Sequence, residues 1–148
     1  MTTQRISLIF GALIMCVVTV ATAMMMHNRA VDDATALVMY VNSRALGTWN
    51  PESVVDNSDS TLRDGVADDF FHTYFRTLSR LGSLQSINDI RFDVALGPVW
   101  QLYRTGSASY TMNAVFDNGQ AEVRITLSRE QGQWRIREYL VLTPMLAA

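Results

Sequence analysis

Hydrophobic positions change their spacing twice along this chain, and each change predicts a different element. Ile6 to Met26 is a run of 21 residues without a charge. As a helix it spans about 31 Å, the thickness of a bilayer's hydrocarbon core. Beyond it, Val31, Ala34, Val38, Val41 and Ala45 recur in steps of three and four, the narrow apolar stripe of an amphipathic helix. Neither Pro nor Gly occurs between Ala12 and Leu46. Span and stripe are therefore expected to form one helix, with His27–Asn28 the place for any kink and Gly47 its stop. The stripe suits packing on the chain's own sheet. A coiled-coil seam for self-association between Val31 and Ala45 is the other use of such spacing.

"TWNPESVVDNSDS" reads as a polar connection with a helical turn starting at Pro51. A firmer helix is predicted from Thr61 to Leu81, stopped by Gly82. Leu62, Val66, Phe70, Phe71, Tyr74, Phe75, Leu78 and Leu81 form its buried side. The other side carries Asp64, Asp68, His72, Arg76 and Arg80 in steps of four. Acids come early and Arg late, which suits the helix dipole and leaves His72 in solvent.

At Ile90 the period falls to two. Ile90, Phe92, Val94 and Leu96 share a face, Gly97–Pro98 bends or ends that strand, and "VWQLYRTG" reads as a short second strand or a continuation. Ala108, Tyr110, Met112, Ala114 and Phe116 mark the next face, and Asp117, Asn118 and Gly119 make a strong hairpin turn. Val123, Ile125 and Leu127 follow, then the turn "REQGQ" and a last strand, "GQWRIREYLVL". Helices grouped before an antiparallel meander of about four strands predict an α+β fold with the helices on one face of the sheet.

The last strand raises a question of phase. Trp134, Ile136, Leu140 and Leu142 alternate onto one face, which puts Glu138 at its centre. Burying a carboxylate without compensation is costly and raises its pKa, the mark of a functional acid. A bulge near Arg137–Glu138 gives the opposite result, turning Tyr139 and Val141 inward and Glu138 out. An ion pair with Arg135, Arg124 or Arg91 is a third arrangement.

Two readings of the N-terminus stay open. A retained signal anchor fits the length of the apolar run, which Met24, Met25 and Met26 extend; residues 1–29 are then the anchor and 30–148 the domain. A cleaved signal peptide fits the small-x-small pattern Ala21, Thr22, Ala23. A lipid anchor fits poorly, because Cys16 follows Met15 and lies deep in the run. A buried helix of a cytosolic protein is the remaining option. Arg5 precedes the run, which favours an N-terminus kept inside and a domain outside the membrane. Both leading readings place the domain in a bacterial periplasm.

Composition narrows the chemistry. A net charge of −2 argues against nucleic acid. All twelve basic residues are Arg, which suits anion recognition or reflects a GC-rich genome. Cys16 is the single cysteine, so the domain has no disulfide or thiol nucleophile, and two His make a metal centre and any cofactor unexpected. No Ser-His-Asp set, phosphate loop or dinucleotide fingerprint occurs.

The stretches "YFRTLSRLGSLQSI" and "ASYTMNAVFDNGQAEVRITLSREQGQWRIREYLVL" resemble the superfamily of nuclear transport factor two, which includes ketosteroid isomerase and scytalone dehydratase, and in particular its small exported members. The resemblance covers roughly residues 30–144. It implies a cone of two to three helices wrapped by a curved sheet, with room for a pocket between them. An isomerase-like member needs a carboxylate base, for which Glu138 and Asp93 are the candidates, and a Tyr donor, for which Tyr110 and Tyr74 are. Alternation puts Asp93 beside Arg91 on the exposed face. Phe70, Tyr74, Tyr110, Trp134 and Glu138 would line such a pocket, though Trp134 and Trp100 also fit as core and rim aromatics. The fold serves enzymes and scaffolds alike. The resulting expectation is a tethered, non-catalytic domain engaging an envelope partner protein; a small-ligand binder or isomerase-like enzyme is the alternative.

Overall fold

The computed structural model of the chain describes residues 2–65 and 68–147, the side chains of residues 68 and 147 excepted. Helix α1, Thr2–Ala45, is a single helix of 44 residues, about 66 Å long, with no interruption at His27–Asn28. Its two halves meet different surroundings. None of the apolar N-terminal window is buried, and Leu8, Phe10, Leu13 and Met15 all stand exposed. From Ala30 onward one face turns inward, burying Ala34, Val38, Val41, Asn42 and Ala45. The stripe thus packs within the chain's own core, with Ala30 and Asn42 added and Val31 at its margin. Helix α1 ends where Gly47 approaches the carbonyl of Ser43 so closely that a methyl group would collide with it.

Pro51 precedes a short helix, α2, Glu52–Asp56, which buries Val54. The helix expected from Thr61 to Leu81 is described in pieces: α3, Ser60–Gly65, α4, Asp68–Leu78, and a 3-10 turn, Ser79–Leu81. Val66 and the Asp68 side chain lie outside the described residues. Phe71, Phe75, Leu78 and Leu81 are buried, while His72, Arg76 and Arg80 are exposed. Phe70 departs from the expectation. It is 60% exposed, because the inward stripe runs through Phe71 and Phe75, and Phe70 sits to one side, stacked on Tyr74 at 5.9 Å. Gly82, at φ 86° and ψ −156°, takes a positive-φ conformation that suits glycine, and it ends the segment.

Four strands form one antiparallel sheet in the order β1-β2-β3-β4: β1, Leu84–Leu96, β2, Gly106–Phe116, β3, Gly119–Glu130, and β4, Gln133–Leu142. On β2 and β3 the alternation holds as expected, with Ala108, Tyr110, Met112, Ala114, Phe116, Val123, Ile125 and Leu127 all buried. Gln131 and Gly132 have positive φ, the two-residue turn that matches strand twist in the β3–β4 hairpin. On β4 the phase shifts. Thr126 faces Glu138 and Leu127 faces Ile136, so Arg137 is an extra residue. The bulge turns Tyr139 and Val141 into the core and leaves Glu138, Leu140 and Leu142 outside.

Strand β1 corrects a second expectation. It begins at Leu84, six residues early, and Ile90 and Phe92, expected inside, are 45% and 58% exposed. For Phe92 alternation gives the right face, since its ring stacks on buried Tyr110 at 5.7 Å. Among the described residues α1 packs more closely on β4 than on β1, and an open groove lies between α1 and Phe92, so this face stays exposed. "VWQLYRTG" is neither strand nor continuation. A 3-10 turn, Val99–Gln101, leads into Leu102 and Tyr103, both left-handed, and β2 starts at Gly106.

Hydrogen bonds fix how the sheet lies along α1. The Trp134 indole donates to the Ala30 carbonyl at 2.8 Å. Tyr110 and Thr35 hydroxyls bond at 3.0 Å. Asn42 accepts from the Tyr139 hydroxyl and donates to Met112 Sδ, both at 3.0 Å. Just past the helix, Trp49 packs on Phe116 and donates to the Gly82 carbonyl. The start of β4 therefore sits beside Ala30, and the β2–β3 turn lies at the Trp49 end. By the strand register, the β1–β2 loop and the β3–β4 turn share the end next to the apolar half of α1.

Candidate interaction surface

Of the five residues expected around a pocket, Phe70 and Tyr74 stack on each other, and the rest meet different partners. Tyr110 and Trp134 are buried and bonded to α1. The Arg129 guanidinium also lies over the Trp134 ring, 5.3 Å from its centroid. Tyr74 donates to the Val141 carbonyl at 2.9 Å and accepts from the Val141 N–H at 2.8 Å. Phe70 and Glu138 are exposed, and so is Asp93. The polar atoms of Tyr74, Tyr110 and Trp134 thus face the protein's own groups. Burial pushes the hydroxyls of Tyr74 and Tyr110 above their ordinary range, partly offset by their hydrogen bonds. Fully buried Tyr139 is pushed up furthest, by burial first and Tyr74 second. All three stay protonated at neutral pH.

Tyr74 belongs to a larger arrangement that guards the open edge of β4. Nearer the start of that strand, Asp59 N–H donates to the Ile136 carbonyl at 2.8 Å, and Ile136 N–H donates to the Asn57 carbonyl at 2.7 Å. An edge strand with free backbone groups is a template for unwanted pairing. Tyr74→Phe removes both side-chain bonds to Val141. It is expected to lower stability by about 1–2 kcal/mol, since part-buried backbone groups lose their partner. Urea unfolding of the full chain in mild detergent, followed by tryptophan fluorescence, measures this.

Asp59 is overlooked when its stretch is read as a polar connection. It is 7% exposed. Its carboxylate accepts from Leu62 N–H at 2.9 Å, capping α3, from the Ser128 hydroxyl at 3.2 Å and from Arg137 Nε at 3.2 Å. Burial raises its pKa, but the Leu62, Arg137 and Ser128 hydrogen bonds outweigh burial and hold the carboxyl below its ordinary value. An Asp just ahead of a helical pattern is a known capping signal, and "SDSTL" carries it. The bulged Arg137 is the residue that reaches it, so bulge and cap form one device.

Among the described residues, no three His, Cys, Asp or Glu side chains gather in the way a metal centre needs. The notable surface is apolar. Leu140, Leu142, Met145 and Leu146 are exposed on β4 and on the closing turn α5, Pro144–Ala147. A hollow of about 400 Å³ beside them is lined by Asn113, Asn118, Glu122, Leu142 and Met145 among others. Thr143 pins α5 by donating to the Gln120 carbonyl at 3.1 Å. The bulge creates this patch, since an unbroken alternation would have turned Leu140 and Leu142 inward. Comparison with protein-family models, curated proteins and solved structures finds no match.

Proposed function

We propose that this chain is a single-pass protein of a bacterial inner membrane whose periplasmic domain is a non-catalytic docking unit for another protein of the cell envelope. One observation carries the reading. A charge-free helical span with no buried residue continues without interruption into the helix that the domain builds its core upon. A water-soluble protein has no use for so much exposed apolar surface, whereas a bilayer covers it. Arg5 ahead of the span supports an outward-facing domain. The helices lie on one side of a four-stranded antiparallel sheet that carries a bulge in β4, which supports the cone of the nuclear-transport-factor-two-like superfamily.

The docking face is the patch of Leu140, Leu142, Met145 and Leu146. It lies at the end of the sheet away from the span, where a neighbour in the same membrane system can reach it. A photoreactive amino acid at position 142 in native membranes is expected to form one discrete adduct with another protein. Met145→Glu should abolish that adduct at unchanged expression, and the same group at Ser109, on the polar part of the outer face, should form none. Equal labelling at both positions, or none at 142, contradicts the proposal.

A further inference from the structure

The loop joining β1 to β2, residues 97–105, displays three large apolar side chains to solvent. Trp100 is 80% exposed, Leu102 60% and Val99 45%. A tryptophan so displayed on a small domain calls for an occupant.

Its place in the fold names the occupant. The Tyr103 ring meets the His27 ring edge-on at 5.7 Å, and His27 is the first residue after the apolar span. Strand β1 reaches the same level earlier. Phe92, Asp93 and Val94 share a groove of about 500 Å³ with His27, Asn28, Val31 and Asp32. From there β1 continues toward the span, because its other end, Leu84, pairs with Phe116 at the Trp49 end. Residues beyond Val94 therefore advance by about 3.3 Å each toward the level at which α1 enters the bilayer. The loop is also held stiffly. Arg129 Nε donates to the Tyr103 carbonyl at 2.8 Å, Gly132 N–H donates to the Arg104 carbonyl at 2.9 Å, and Gly97 N–H to the Thr105 carbonyl at 2.8 Å.

We propose that this loop is a second membrane contact: Val99, Trp100 and Leu102 sit in the head-group layer of the leaflet that α1 leaves, with exposed Arg104 at the phosphates. Trp is the side chain most suited to that layer, an apolar ring with one polar N–H, and Arg beside it serves anionic lipid. One helix alone leaves a domain free to swivel about its axis. A helix and a loop together fix which face of the sheet points along the membrane and which points away. This inference rests on the anchoring of residues 6–26 in a bilayer, and the experiment separates the two.

Full-length chain with Cys16→Ser, carrying one spin label at a time, is reconstituted in phosphatidylcholine–phosphatidylglycerol vesicles. Label sites are introduced as Val20→Cys, Trp100→Cys, Leu102→Cys and Asn113→Cys. Labels at 20, 100 and 102 are expected to relax more with oxygen than with an aqueous nickel chelate, and the label at 113 to show the reverse order. Aqueous behaviour at 100 and 102, with lipid behaviour at 20, overturns the loop contact and leaves the anchor standing. Aqueous behaviour at 20 overturns the anchor itself. Labels at 100 and 102 shielded from both reagents mean that protein, a second copy included, covers the loop, and that result also overturns the proposal. Circular dichroism of each labelled chain confirms folding, which exposure of both loop side chains makes the expected outcome.

Discussion

Phe75→Ala is expected to destabilise the folded chain by about 3–5 kcal/mol, the range for emptying a fully buried aromatic site. Phe75 is 1% exposed. Its ring stacks on Tyr139 at 6.0 Å and lies near Phe71 and Tyr74. It is thus a central side chain in the grip of α4 on the sheet, and the gap it leaves is walled by residues already fixed by hydrogen bonds. Tyr139 is held by Asn42 and Tyr74 by Val141, so little can collapse into the space. Urea unfolding in detergent micelles measures the loss, with the helical signal of α1 expected to outlast the tryptophan transition. A loss below about 1 kcal/mol would mean that α4 does not pack as described.

The second large effect is expected at Asp59. Asp59→Ala removes the cap of α3 and the shared partner of Ser128 and Arg137, a loss of about 2–3 kcal/mol. It also removes a pH dependence whose sign follows from the depressed pKa. A carboxyl that titrates lower in the folded chain than in the unfolded one stabilises the fold above its unfolded value. That stabilisation is lost as the pH falls from near 3.8 through the lower folded value. The wild-type chain is therefore expected to lose stability across that acid window more steeply than Asp59→Asn, which keeps the shape and loses the charge. Parallel acid dependences in the two chains would show that Asp59 is not held ionised by its partners.

Legibility from the sequence divides along physical lines. Local signals came through well: the apolar span, the stop at Gly47, the turn at Asp117, Asn118 and Gly119, and the inward faces of β2 and β3 all depend on neighbours close in sequence. Three features depend on what lies across the fold. Period two gives the face of Phe92 on β1 but not whether a helix covers it. The apolar side of α4 is wide enough to include Phe70, yet the sheet meets only the narrower stripe through Phe71 and Phe75. One inserted residue, Arg137, reverses the phase of β4, and with it the reading of Glu138 as a buried acid. A bulge is one of the arrangements that the strand's own pattern allows. The pairing of Arg137 with Asp59 leaves no such local trace, because the two residues lie 78 apart.

The candidate surfaces were less legible than the fold, for a related reason. The resemblance makes Tyr74 and Tyr110 candidate donors and Trp134 a pocket wall, and the sequence alone shows no partner for their polar atoms. In the fold those atoms meet Val141, Thr35 and Ala30. Leu142 reads in sequence as a core-facing strand residue and Trp100 as a rim aromatic, and both stand exposed.

The most direct test of the tether is fractionation of cells expressing the full-length chain. After alkaline carbonate extraction the intact chain is expected in the membrane pellet at its full mass. In spheroplasts, added protease should digest the domain while sparing a short fragment containing residues 6–26. A chain released to the soluble fraction, or shortened by loss of its first two dozen residues, would contradict a retained anchor.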